Sequence, residues 1–293
     1  MSADAPPKCR PPSAGGRLYA WLQYLPPQRA LARLVRAAAH ATTPWFKNLL
    51  TRGFLRIYRV ELAEAAEPDP YAYASFNEFF TRALKPQARP IAPQPRAVVS
   101  PVDGTVSECG AIDGGRLLQA KGRHYALADL LAGQAWAERF AGGSFATIYL
   151  APSDYHRVHM PLAGRLLDTV FVPGRLFSVD ASTTACVPRL FARNERILTL
   201  FDADAGRFAL IMVGALNVGS MATVWAGEIA PRGRRAVTRL PQTDVRLPKG
   251  AELGRFNMGS TVILLFEPNR VRWLPACARR ASVRMGGQIG ALV

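Results

Sequence analysis

Residues 256–267 read FNMGSTVILLFE. The run Thr261–Phe266 carries no charge, which predicts a buried strand. Gly259-Ser260 stands at its mouth, where a further β-former would pack better. By itself the pair reads as a strand starting after a turn. From Ala97 onward the texture is similar. AVVSPV, FATIYL, LDTVFV, ILTLF, FALIMVGAL and ATVWAGEIA are short runs punctuated by Gly, Pro, Asp and Asn. They predict a β-rich core over 97–293, with one helical patch at Tyr125–Gly133.

The preceding third of the chain is different. Residues 1–16, rich in Pro, Gly and Ala, read as a flexible tail. Leu18, Trp21, Leu22 and Leu25 fall at helical spacing. So do Leu31, Leu34, Val35 and Ala38 after Pro26-Pro27, and then Trp45, Phe46, Leu49, Leu50, Phe54, Ile57 and Tyr58. The stretch 68–84 reads as another helix, and KPQARPIAPQPR as a proline-rich connector, so 17–96 is helical region plus connector. The whole is α+β: basic amphipathic N-terminal helices followed by a barrel- or sandwich-like β core.

Between Asp4 and Glu61 there is no acidic residue, while Arg17, Arg29, Arg33, Arg36, Lys47, Arg52, Arg56 and Arg59 supply a one-signed polar face. A basic face opposite Trp, Phe and Leu is the pattern of helices lying in a membrane interface. A helical cap with solvated arginines has the same spacing. The net charge is +16, which points to an anionic partner without choosing among nucleic acid, acidic membrane and phosphorylated substrate. No nucleic-acid-binding module is recognisable. Hydrophobic residues make up 49% of the chain, which excludes a disordered protein. Cys9, Cys109, Cys186 and Cys277 make no CxxC pair, so no zinc site or disulfide framework is expected, and a reducing compartment is the simplest reading. The N-terminus has no apolar h-region of a signal peptide, and no apolar run is long enough to span a bilayer, so any membrane role is expected to be peripheral.

Three places offer chemistry. SPVDGTV (100–106) contains Asp103-Gly104, which alone is a favoured hairpin turn. YLAPSDYHRVHMPLAG (149–164) holds His156 and His159. HxxH can bind metal, but no further ligand lies at a familiar spacing, so no metal is expected. In a helix the two rings would share a face; in extended chain they would part. The third place is Gly259-Ser260. Together these supply a carboxylate, two imidazoles and a hydroxyl, the parts of a nucleophile–base–orienter set.

MGST before an apolar strand, SPVDGTV, SDYHRVHMP, VPGRLFSV and LFARNERILTLF, in this order and spacing, resemble the pyruvoyl-dependent phosphatidylserine decarboxylases of bacterial type. The likeness extends from FNEFFTRALKPQARPI (76–91) to the C-terminal strand and includes QAKGRHYALADLLAG and MATVWAGEI; the N-terminal helices resemble the family only in character. The resemblance implies self-cleavage between Gly259 and Ser260 into a large subunit, 1–259, and a small one, 260–293, held together as a heterodimer. Ser260 would become a covalent pyruvoyl group, the cofactor, and form a Schiff base with the amine of phosphatidylserine. CO2 and phosphatidylethanolamine would be the products. His159, oriented by Asp103, would be the base for cleavage, and His156 would manage protons in decarboxylation, although the two assignments could be exchanged. The expected setting is the cytoplasmic face of the cell membrane, docked on anionic lipid, with no nucleic-acid partner. The alternatives are a pyruvoyl decarboxylase of a soluble amino acid and an unprocessed, non-enzymatic membrane-binding protein.

Overall fold

The computed structural model describes residues 14–24, 28–120, 123–215, 220–229, 236–241 and 244–293. Its centre is the strand Ser260–Phe266, buried at all seven positions. It pairs antiparallel on both edges: Ser260 lies opposite Leu150 on one side and Gly214 on the other, and the register holds to Phe266. With both edges hydrogen-bonded and both faces covered, every side chain can be apolar, which is why the run does not alternate.

The sheet around it has the order Thr238–Arg239, Gly164–Val172, Arg196–Ala203, Gly206–Gly214, Ser260–Phe266, Ser144–Leu150, Gly104–Ala111, Ser282–Val283, with Arg246–Leu247 also pairing Gly164–Val172. It is open, not a closed barrel. A four-stranded sheet runs Gly227–Ile229, Met221–Thr223, Glu252–Phe256, Arg157–His159. A three-stranded one joins Ala97–Val99, Gln288–Leu292 and Val271–Trp273. Phe201 and Phe208 stack at 5.2 Å in the main core.

Four helices precede the sheets: α1 (Ala14–Leu22), α2 (Gln28–Ala39), α3 (Pro44–Ile57) and α4 (Phe76–Phe80). Helix α1 therefore begins inside the stretch read as a tail; residues 1–13 and the break at Pro26-Pro27 lie outside the described residues. Pro44 at the first turn of α3 needs no N–H partner there. Phe54 of α3 meets Phe76, Phe79 and Phe80 of α4 at 5.4, 6.1 and 5.8 Å, forming a second small core. Gln23 and Gln28 fasten α1 and α2 to the body: Gln23 Nε2 donates to Thr183 Oγ1 at 3.2 Å, and Leu176 N–H donates to Gln28 Oε1 at 3.0 Å.

The helix expected over 68–84 is much shorter. Ser75 Oγ takes the Glu78 N–H at 3.2 Å, and Glu78 reaches back to the Ala74 N–H at 3.1 Å, so a reciprocal cap starts the helix only at Phe76. The Tyr125–Gly133 patch is also divided. Tyr125 pairs with Leu117 in a two-stranded ribbon, and only Leu127–Leu130 is helical. Lys47, counted with the polar face, is buried: its Nζ donates to the Tyr71 carbonyl at 2.7 Å. The side chains of Arg17 and Arg29 lie outside the described residues.

Candidate active site

The residues singled out in the sequence sit at or beside the ends of strands. Asp103 immediately precedes the strand Gly104–Ala111, and Ser260 opens the central strand. His159 ends the short strand Arg157–His159, and His156 stands just before it. This segment is extended, so the two rings enter different surroundings.

Ser260 is fully buried, and its Oγ has no hydrogen-bond partner among the described residues. A buried orphan hydroxyl is unusual enough to require a reason. The backbone before it is strained: Met258 has φ +127° and Gly259 φ +24°. A Cβ on Gly259 would meet nothing within 4 Å, so glycine is suited here to the dihedral and not to a shortage of room. For Met258 the positive φ is unfavourable and persists only because its surroundings hold it.

His159 Nδ1 lies 2.8 Å from the Gly250 carbonyl. A carbonyl only accepts, so Nδ1 carries the proton and Nε2 presents a lone pair. That lone pair accepts the Tyr155 hydroxyl at 3.1 Å. Burial lowers the His159 pKa, against the opposing Gly250 hydrogen bond and the charges of Glu252 and Asp103. Burial also pushes the Tyr155 phenol up to about 12. Both groups are therefore neutral at ordinary pH, tyrosine the donor and histidine the acceptor.

His156 follows the same logic at greater depth. Its Nδ1 donates to the Asp154 carbonyl at 2.8 Å, its ring lies 4.1 Å from that of Phe80, and it has no exposed surface. Burial lowers its pKa to about 3, so the ring is neutral. Its Nε2 lone pair has no partner among the described residues.

Asp103 is engaged elsewhere. Arg89 Nε donates to its Oδ1 at 2.9 Å, Arg89 Nη2 to Oδ2 at 2.5 Å, and the Met285 N–H to Oδ1 at 2.8 Å. Glu64 takes the other side of the same guanidinium at 2.7 Å. The Asp103 carboxylate thus does not touch the His159 ring, whose nitrogens face Gly250 and Tyr155. A two-pronged guanidinium pair outcompetes a neutral imidazole for a carboxylate. The backbones are nevertheless adjacent, because the His159 N–H donates to the Pro101 carbonyl at 2.8 Å.

Sequence reasoning missed Arg89 and Tyr155. Arg89 lies in the segment read as a connector, yet is 8% exposed. Tyr155 was in plain view beside His156, but an aromatic residue before a histidine carries no chemical signal of its own.

A cavity of about 360 Å³ is lined by Thr105, Glu108, Tyr149, Ser182, Arg279 and Arg280, on the other face of the sheet from the Ser260 side chain. Tyr149 lies opposite Thr261 in the sheet. On the outer helices Leu34, Trp45, Leu49 and Ile57 stand 59–75% exposed beside the exposed Arg33, Arg52 and Arg56. No helix among the described residues is long and apolar enough to cross a membrane, and no group of three or more metal-ligating side chains is found among them.

Fold and site together define an α+β protein with a buried hydroxyl, unpartnered among the described residues, after a backbone at positive φ, and with two neutral buried histidines on the segment that pairs with the strand leading to it. Comparison with known proteins narrows that class. Residues 76–291 match the family model described as phosphatidylserine decarboxylase, and 18–59 match one described as PSD. The phosphatidylserine decarboxylase proenzyme of Bordetella bronchiseptica is 53% identical over 278 residues, covering 92% of this chain and 93% of that protein. Those of Pseudomonas fluorescens and Methylococcus capsulatus are each 50% identical, covering 94% of this chain and 97% and 96% of theirs. The chain belongs to the phosphatidylserine decarboxylase family.

Proposed function

We propose that this chain is made as a precursor, cuts its own Gly259–Ser260 bond, and then decarboxylates phosphatidylserine to phosphatidylethanolamine and CO2. The observation that carries the reading is the buried, unpartnered Ser260 Oγ next to a backbone held at positive φ. A hydroxyl with no competing partner is free to attack, and a strained amide gains more than a relaxed one from becoming an ester.

In the first reaction Ser260 Oγ bonds to the Gly259 carbonyl carbon, the C–N bond breaks, and the hydroxyl proton passes through a base to the nitrogen. Loss of the Ser260 Cα proton then expels the Gly259 carboxylate from Cβ. Water replaces ammonia on the resulting dehydroalanine, leaving a ketone at the new N-terminus. His159 is the base: it is neutral and its Nε2 carries the lone pair. It accepts a proton only after the Tyr155 hydroxyl turns away. Asp103 stabilises the imidazolium by charge from a short distance, not by a hydrogen bond. The products are a large subunit of residues 1–259 and a small one of residues 260–293. They remain a heterodimer because Ser260–Phe266 stays paired on both edges.

Residue 260 can hold a pyruvoyl group, since the atoms it needs are those of the serine itself and its hydroxyl has no partner among the described residues. That group supplies an electron sink for the substrate's departing CO2. His156 then holds or returns a proton from its unpartnered Nε2. The exposed Trp, Leu and Ile side chains of α2 and α3, with their arginines, dock the enzyme peripherally on anionic lipid at the cytoplasmic face of the cell membrane. Intact-mass measurement tests the reading. The wild-type chain yields a 34-residue fragment with a ketone in place of its terminal amine, and Ser260→Ala stays whole and inactive. Wild-type protein that remains in one piece with an unmodified serine on a bilayer refutes it.

A further inference from the structure

The strained dipeptide Met258-Gly259 is held from both sides. Downstream, Ser260 is fixed by strands on either edge. Upstream, the Phe256 N–H donates to the His156 carbonyl at 3.0 Å, and Asn257 is bound through three of its groups. The Asn257 N–H donates to the Ser220 carbonyl at 3.0 Å, and its Nδ2 to Ser220 Oγ at 2.6 Å. Its Oδ1 accepts from Asn77 Nδ2 of α4 at 3.2 Å. Asn257 is 5% exposed. Ser220 in turn donates to Glu228, which receives Arg36 of α2 through two bonds at 2.9 and 3.0 Å. The Met258 side chain packs into the small core of Phe76, Phe79 and Phe80.

A non-glycine residue at φ +127° relaxes unless both flanks are pinned. Strand pairing pins the C-terminal flank. On the other flank Asn257 ties the chain to α4 and to the Ser220 turn. The Asn257 amide hydrogen-bonds Ser220 and Asn77, framework residues outside the proposed chemistry. We propose that Asn257 is a positioning residue for self-cleavage: it anchors the upstream side of the scissile turn so that strain in Met258-Gly259 is retained until the bond is cut. The inference rests on the reading that this chain cleaves itself. It also carries a feature that a general structural role lacks. After the cut Gly259 is a chain end, the strain is gone, and the anchor has nothing left to hold. Asn257 therefore matters to maturation and not to turnover.

Strain of this kind corresponds to roughly 5- to 150-fold in a rate. The test is cell-free synthesis of the full chain with vesicles of phosphatidylglycerol and phosphatidylethanolamine, pulse-labelled, following release of the 34-residue fragment. Wild type, Asn257→Ala and Ser220→Ala are compared; the last removes the same side-chain bond from outside the scissile segment. Both variants are expected to release the fragment roughly 10-fold more slowly or worse. Decarboxylation per mole of fragment formed stays within about twofold of wild type. Cleavage at the wild-type rate in both variants overturns the proposal. So does slow cleavage with an equal fall in turnover per fragment, which marks general distortion. If Asn257→Ala does not fold, Ser220→Ala decides by the same criteria. A wild-type chain that never cleaves is a separate outcome: it refutes the self-processing reading and this proposal with it.

Discussion

His156 gives the sharpest prediction about stability. Its ring is fully buried and neutral, with a folded-state pKa of about 3 against an ordinary value of 6.5. Between those two values the unfolded chain binds a proton that the folded one refuses. Stability from this group is therefore fully present above about pH 6.5 and is lost as the pH falls toward 3. The limiting slope is about 1.4 kcal/mol per pH unit. From pH 7.5 to pH 5 the loss assigned to His156 alone comes to about 2 kcal/mol. The perturbation is His156→Asn, which keeps an N–H for the Asp154 carbonyl but cannot titrate. It is made in a Ser260→Ala background so that every sample is a single uncut chain. Urea unfolding is followed by tryptophan fluorescence at pH 7.5, 6.5, 5.8 and 5.0. The variant is expected to be less stable throughout, because an amide packs less well than imidazole against Phe80. The informative quantity is the change with pH: the two curves converge by about 2 kcal/mol at pH 5. Parallel acid limbs would show that His156 is hydrated or already protonated in the folded state, and its assignment as a neutral proton carrier would fall.

Three further outcomes follow from the site and from the outer helix α3. Asp103→Asn removes the charge that Arg89 grips in a buried pair and is expected to destabilise the uncut chain by about 3 kcal/mol and to accumulate precursor; normal processing in that variant removes Asp103 from the cleavage machinery. Trp45 and Leu49 are 70% and 59% exposed one helical turn apart on α3, and changing both to serine should weaken binding to anionic liposomes by roughly 10-fold or more at any salt concentration. Arg52→Gln with Arg56→Gln should instead act mainly at low salt. Liposome affinity that ignores both pairs of changes rules out docking through this face.

Much of the site was legible because its parts are local. A glycine–serine pair before an uncharged run, a histidine pair and an Asp-Gly turn are each contiguous in sequence, and their order along the chain carried the family resemblance. The relations between them are not local. The resemblance makes Asp103 the orienter of His159, but Arg89 reaches it from 14 residues away and Met285 from 182, and together they take its oxygens. The helix expected over 68–84 fails for a related reason: apolar spacing places the face, whereas the Ser75–Glu78 cap sets where the helix starts. Lys47 looked like one more solvated cation because nothing nearby in sequence shows the Tyr71 carbonyl that receives it.

The sequence by itself determined that Thr261–Phe266 is a buried strand, since a run without polar positions has no face to give to solvent; its place at the centre of the sheet came from the structure. The sequence determined too that the N-terminal helices carry one sign of charge. The tertiary structure alone decided that Ser260 Oγ has no partner among the described residues, that His156 and His159 are neutral with their lone pairs on Nε2, and that Met258 is held at a positive φ. Those properties belong to contacts among residues far apart in the chain, and a proton's position or a dihedral's strain is fixed by what folding brings alongside.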